Sequence, residues 1–279
     1  MRSRYNTFGP EIMVGNLFAS DAYKDGQRRL SYWLESRGLA ALVGEVGSGK
    51  TTLFRAFMAR LGQGSYLPLY TNVTAGKSPL RAVVEQLLLQ LGEKVPFNNP
   101  AKGLLLLRDA LISSYERNRL PIVALDDSHH LDAKALLQLK SLTNFQMDSA
   151  QAIAVLLIGT PALGRTLGIR ELEEIRQRMV FCYPLRPLRK EEVEPYIKSR
   201  LQARGVEQQL FPRDLLDELY LHSQGNLRIL NQLAGFCLMA AASEEKELVD
   251  RSCLLQALAE IQAISTGLPP EAVANGGAN

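Results

Sequence analysis

Cysteine is scarce in this 279-residue chain, with only Cys182, Cys237 and Cys253. An odd, widely spaced set does not frame a disulfide-stapled fold and matches no zinc-ligand spacing, so reduced thiols are expected. Long apolar runs are also lacking. None reaches the roughly 18–20 residues that a membrane-spanning helix needs, and the N-terminus, Met-Arg-Ser-Arg-Tyr-Asn-Thr-Phe, has no apolar signal-peptide core. These absences point to a cytoplasmic protein without a membrane segment. No long internal repeat is present. Overall charge is low, at +3, but it is unevenly spread. Residues 1–204 carry 28 Lys/Arg against 19 Asp/Glu, a net of +9, whereas residues 205–279 carry 4 against 10, a net of −6. A basic body suits an anionic partner, and on charge alone a merely solvating surface accounts for it equally well. With 46% hydrophobic and 22% charged residues, the chain has the makings of a globular core plus a smaller domain.

Residues 44–52 read Gly-Glu-Val-Gly-Ser-Gly-Lys-Thr-Thr. This is G-x-x-x-x-G-K-[ST], the phosphate-binding P-loop. Gly44, Gly47 and Gly49 let the backbone turn tightly and bring its N–H groups up to a polyphosphate; Glu45, Val46 and Ser48 complete the loop. Lys50 supplies charge for the β- and γ-phosphates, and the Thr51 hydroxyl, followed by Thr52, suits Mg²⁺. The flanks agree. Leu39-Ala-Ala-Leu-Val43 is a short apolar strand, and Leu53, Phe54, Phe57, Met58 and Leu61 recur at helical spacing. Strand, loop and helix put the phosphates on a helix N-terminus, so a nucleoside triphosphate with Mg²⁺ is the expected ligand.

Further strands are expected over 65–71, 121–125, 152–158 and 179–183, separated by helical patterns over 79–91, 101–119 and 132–146. Strands alternating with helices, and apolar almost throughout, indicate an α/β fold with a five-stranded parallel sheet covered on both faces. From Leu188 the pattern is helical only, with helices expected over 190–203, 212–223, 226–242 and 250–263. The expected organisation is an N-terminal extension (1–17), a P-loop αβα domain (18–186), a small all-helical domain (187–264) and a disordered tail (265–279).

The third strand ends in Asp126-Asp127. In a P-loop fold the first carboxylate belongs near Mg²⁺; the second could orient and deprotonate a water or could simply cap the next helix. Asp is one methylene shorter than the Glu usual there, and water positioning tolerates little displacement. His129-His130 suggests a metal, but adjacent helical side chains point apart, so a satisfied surface pair is expected. Thr160 ends the fourth strand, where a polar side chain would sit between the phosphate and Asp126, unless it merely closes a turn. Arg176 and Arg178 precede the fifth strand as candidate arginine fingers; pairing with Glu171, Glu173 or Glu174 is the other reading. Arg228, in Gly225-Asn-Leu-Arg228, would face a nucleotide from the helical domain.

In this order, P-loop, Asp126-Asp127, Thr160, Arg176-Gln-Arg178 and Gly225-Asn-Leu-Arg228 resemble the AAA+ ATPases over residues 18–262. Tyr183-Pro-Leu-Arg-Pro-Leu188 and Asn226-Leu-Arg-Ile-Leu-Asn231 are similar to motifs of the ExeA-like branch. That resemblance implies a helical lid, with Arg228 as sensor 2 and Thr160 as sensor 1. Thr143-Asn-Phe-Gln-Met-Asp148 and Leu188-Arg-Lys-Glu-Glu192 look like the stand-alone, transposase-associated TnsC/TniB-type members. The expectation is a DNA-binding regulator of transposition that assembles as a ring or filament on duplex DNA. It would recruit a transposase, and with it a target-selection protein, and hydrolyse ATP to disassemble. By the same resemblance Lys77, Arg81 and Lys102 would line the DNA track. The alternatives are an ExeA-type secretion ATPase lacking its anchor, and a nucleotide switch that hydrolyses slowly or not at all.

Overall fold

The computed structural model describes residues 7–9, 13–62, 64–95, 100–143 and 152–267. They fall into two compact units: Tyr23–Val46 with Lys50–Leu185, and Gly47–Gly49 with residues 7–9, 13–22 and 186–267.

The first unit is built on five strands: β1 Gly38–Val43, β2 Tyr66–Asn72, β3 Leu120–Asp126, β4 Ala154–Gly159 and β5 Met179–Pro184. All pair in parallel, in the order β2-β3-β4-β1-β5. The three central strands are buried almost end to end, as expected of a sheet covered on both faces. Its helices are α1 Asp21–Ser36, α2 Lys50–Met58, α3 Pro79–Gln90, α4 Pro100–Glu116, α5 Ala133–Thr143, α6 Pro161–Leu167 and α7 Glu173–Arg176. The edge strand β2 is blunted by a side chain. Gln90 accepts from the Tyr70 N–H (3.3 Å) and donates to the Tyr70 carbonyl (2.9 Å), imitating a sixth strand at one residue.

Three helices go beyond the pattern-based expectation. The buried face of α1 consists of Gly26, Gln27, Leu30 and Trp33, so half of its stripe is not apolar. Helices α6 and α7 span only seven and four residues, too short to show a period.

The second unit is helical: α8 Lys190–Gln202, α9 Arg213–Ser223, α10 Leu227–Ser243 and α11 Arg251–Thr266. Its core includes Val193, Phe211, Leu219, Leu230 and Leu233, together with Phe8 from near the N-terminus. Arg200, only 3% exposed, donates to the carbonyls of Thr7 (2.9 Å) and Gly9 (2.8 Å), fastening that segment to α8. Helix α11 continues two residues into the stretch expected to be a tail. It ends at Gly267, whose φ of +70° and N–H bond to Ala263 make a left-handed cap. Residues 268–279, and 144–148 of the transposase-like motif, lie outside the described residues. All three cysteines are free thiols. Among the described residues no helix is long and apolar enough to cross a membrane, and no cluster of three or more His, Cys, Asp or Glu side chains is placed to hold a metal ion.

Candidate functional site

The carboxyl ends of β1, β3 and β4 converge on one edge of the sheet, where open α/β folds bind ligands. β4 lies between β1 and β3, and the Gly44 N–H donates to the Gly159 carbonyl (3.1 Å), locking the start of the P-loop to the end of β4. Lys50 opens α2 and is 9% exposed. Its Nζ donates to the carbonyls of Gly44 (2.9 Å) and Glu45 (2.8 Å), so the ammonium is held back against its own loop. Thr51 and Thr52 follow in the first turn of α2, and Val46 is 55% exposed.

The Thr51 hydroxyl donates to Asp126 Oδ2 at 2.5 Å. These two side chains, 75 residues apart in sequence, come from α2 and the end of β3. Asp126 is 6% exposed, and its other oxygen accepts the Asp127 N–H at 2.9 Å. A second hydroxyl also reaches Oδ2, that of Tyr70 on β2, at 2.9 Å. Burial pushes the Tyr70 phenol well above its ordinary range, and the bond to Asp126 and the negative charges of Asp126 and Asp127 push it further. Sequence reading missed Tyr70 because its contact depends on β2 lying beside β3, a pairing that no local pattern announces.

Asp127 adopts a left-handed conformation (φ 53°, ψ 30°) and its carboxylate is 56% exposed. It makes no side-chain cap bond to the short 3₁₀ turn Ser128–His130 that follows, so the capping alternative is not realised. The histidine expectation is corrected here. The rings of His129 and His130 do not point apart but lie tilted against one another with centroids 4.2 Å apart, in a short 3₁₀ turn rather than an α-helix. Nor is His129 satisfied: its Nδ1 is buried without a hydrogen-bond partner. Burial lowers the His129 pKa from its ordinary value. His130 and Lys50 lower it further, against opposing pulls from Asp127 and Asp126.

Thr160 is half-buried and precedes Pro161 at the start of α6, without a side-chain cap bond. Arg176 is committed to structure, since its Nη1 donates to the carbonyls of Leu167 (2.7 Å) and Ile169. Arg178 is exposed two residues on, and Glu174 pairs with Lys140. Lys77 lies in the loop after β2, Arg81 in the first turn of α3 beside Glu85 (2.7 Å), and Lys102 near the start of α4; all three are exposed.

In the second unit, Asn226 Oδ1 caps α10 by accepting from the N–H groups of Arg228 (3.0 Å) and Ile229 (3.4 Å). The Arg228 N–H also reaches the Gly47 carbonyl at 3.2 Å, and the Arg228 side chain is exposed. Gly47 and Gly49 have φ of +84° and +94°. A Cβ at Gly47 would come within 2.5 Å of the Arg228 Cβ, so the position excludes any side chain. Ser48 is buried with its hydroxyl unpartnered.

Proteins of known structure share the fold. Cdc6p of Pyrobaculum aerophilum superposes on 95% of this chain and 74% of its own with a TM-score of 0.71 at 18% identity. The chain has the AAA+ P-loop fold. Residues 34–167 of this chain match the family described as AAA domain. The ORC1 protein of Aeropyrum pernix, solved in complex with DNA, is similar in fold over 92% of this chain and 69% of its own, with a TM-score of 0.65 and 19% identity. Among curated proteins, General secretion pathway protein A of Aeromonas hydrophila is 31% identical over 230 residues, 81% of this chain. The chain spans 41% of that relative's length.

The residues present fit a magnesium nucleotide. Gly47 and Gly49 keep the loop backbone bare, the buried Ser48 hydroxyl lacks a partner, and Lys50 holds its charge beside the loop carbonyls. The Thr51 hydroxyl already donates to Asp126 where the two would ligate one cation.

Proposed function

We propose that this AAA+ chain binds ATP with Mg²⁺, hydrolyses it, and uses the nucleotide to control its assembly with further copies of itself. The observation that carries this reading is the 2.5 Å bond between Thr51 and Asp126, which joins the P-loop helix to the end of β3 through two oxygen ligands suited to magnesium. Magnesium, when bound, supplies charge that offsets the phosphate oxygens. Backbone N–H groups of residues 44–49 and the Lys50 ammonium hold the phosphates. Asp127 orients and deprotonates the attacking water, its exposed carboxylate being available for that work. Thr160 and Arg228 sense the nucleotide. Arg178, which is exposed, is assigned as the finger offered to a neighbouring subunit, while Arg176 donates to the carbonyls of Leu167 and Ile169. In mixed assemblies, Arg178→Ala subunits combined with Lys50→Ala subunits are expected to recover ATPase activity that neither has alone. If mixing recovers nothing, the finger does not act across subunits.

The partner we assign is duplex DNA, bound without sequence preference. The net charge of +9 over residues 1–204 and the exposed Lys77, Arg81 and Lys102 support this, as does the likeness in fold to a protein solved with DNA. Recruitment of a transposase, the finer reading, rests on the motif resemblance alone. ATP-dependent retention on duplex DNA is expected at low salt, falling steeply as salt rises because phosphate contacts release counterions. Absence of retention under those conditions would sink the DNA reading. The second reading, a secretion-pathway ATPase, is favoured by the 31% identity to General secretion pathway protein A; ATP turnover indifferent to DNA is its signature.

A further inference from the structure

We infer that His129 is a positioning residue for ATP hydrolysis: its Nδ1–H holds the Asp127 carboxylate in place and makes good the short reach of an aspartate. The inference deepens the proposed function and rests on Asp127 acting as the water-orienting base. Four observations meet at this point. His129 Nδ1 is buried and has no hydrogen-bond partner, and a buried orphan of that kind calls for an explanation. The ionisable oxygen nearest to it is Asp127 Oδ1, at 4.0 Å. Asp127 stands in a left-handed conformation, at a cost of about 1–3 kcal/mol for a non-glycine residue, and its carbonyl accepts the His130 N–H at 3.1 Å, closing a tight turn around His129. Finally, the imidazole is fixed on its other sides. The His130 ring lies 4.2 Å away, and Ser128 anchors the turn by donating to the Leu125 carbonyl at 2.7 Å.

The donor is therefore rigid and the acceptor mobile. Asp127 is 56% exposed, and a turn about its own side-chain torsions closes 4.0 Å to hydrogen-bond length. Catalytic hydrogen bonds often tighten in this way only when substrate is in place. Burial and the nearby charges of His130 and Lys50 keep the ring neutral, so one nitrogen carries the proton. With the proton on Nδ1, the carboxylate has one oxygen fixed and the other left for water. The only ionisable side chain on α6, the helix packed against this turn, is Arg165, and it is exposed.

A double-mutant cycle tests the assignment. His129→Phe keeps an aromatic ring against His130 and deletes an unpaired buried polar atom, so a purely structural role predicts unchanged or higher stability. Instead kcat is expected to fall about 100-fold, the size of effect that misplacing a catalytic group can produce, with KM and ATP affinity unchanged. His129→Asn, which retains an N–H donor, is expected to recover most of that loss. In the Asp127→Glu background, where the longer side chain needs no tether, His129→Phe should cost little. A second readout needs no turnover. The protein has three histidines, and ¹⁵N-imidazole spectra should show His129 with its proton on Nδ1, in a resonance that shifts in Asp127→Asn. A proton on Nε2, equal losses in both backgrounds, or an undiminished kcat in His129→Phe overturns the inference. Undiminished turnover in Asp127→Asn overturns the proposed role of Asp127 itself, whereas inactive Asp127→Asn with active His129→Phe removes only the histidine.

Discussion

In Lys50→Ala, ATP binding is expected to weaken about 100-fold and steady turnover to disappear. Hydrogen bonds from a charged donor contribute about 1.5–3 kcal/mol each, and about 1.4 kcal/mol is a factor of ten. Lys50 is the one P-loop side chain able to bring a full positive charge to the phosphates, and it does so from a site only 9% exposed, where water screens little. Its present bonds sharpen the expectation. The ammonium already rests on the carbonyls of Gly44 and Glu45, so it is ordered before nucleotide arrives and little side-chain entropy remains to be lost. Alanine removes both the charge and the brace that keeps those carbonyls turned inward. Titration with a fluorescent ATP analogue reads the effect directly, and an affinity within threefold of the parent would remove Lys50 from the phosphate site. Thermal melting of the same variant should change little, because α2 keeps its apolar face of Leu53, Phe54 and Phe57.

Gly225→Ala is expected to destabilise the helical unit by about 3 kcal/mol or more, the largest stability effect we assign to a single methyl group. Gly225 has a φ of +72°, and a Cβ there would lie 1.9 Å from the Leu188 carbonyl oxygen and 2.9 Å from its carbon. The obstacle is backbone and cannot rotate away. It is also the anchor of the unit, since the Leu188 N–H donates to the Gly225 carbonyl at 2.9 Å while Gln224 and Asn226, on either side, end α9 and begin α10. Moving Gly225 thus disturbs two helix ends and the strand-to-helix connection together. Whole domains are stable by about 5–15 kcal/mol, so the loss is visible in urea denaturation as a lower midpoint at unchanged slope. A midpoint within error of the parent would show that the connection yields more easily than its contacts imply. The glycine of Gly225-Asn-Leu-Arg228 is therefore required by the close passage of residue 188, the asparagine caps α10, and the Arg228 side chain is exposed.

Much of this molecule could be read along the chain. The five strands and the helices from α8 onward lie within a few residues of their expected positions, because each is marked by an apolar run or a repeating stripe. Helix α1 carries no such mark: it buries Gly26 and Gln27 where a stripe would show apolar residues, and Gln27 is accommodated by donating to the Leu53 carbonyl at 3.0 Å. The histidine pair was misread for a related reason. The left-handed Asp127 that opens their turn looks in sequence like any other aspartate, and no local pattern announces that the two rings meet. Phe8 and Arg200 likewise carry no signal. Only in the folded chain does a buried arginine find carbonyls 191 and 193 residues away.

By itself the sequence determined that a phosphate-binding loop follows a buried strand and that an acidic pair ends another. Both are local requirements: glycine where the backbone must turn or lie bare, apolar residues where a strand is covered on two faces. The tertiary structure alone decided which side chains act on which. The order β2-β3-β4-β1-β5 brings Thr51 and Tyr70 onto one carboxylate oxygen of Asp126, and a left-handed turn sets His129 against Asp127. Strand order and turn handedness are settled by long-range packing, where the free energy depends on the whole sheet rather than on any window of residues. The chemistry was therefore visible as parts along the chain, and it became a site only through folding.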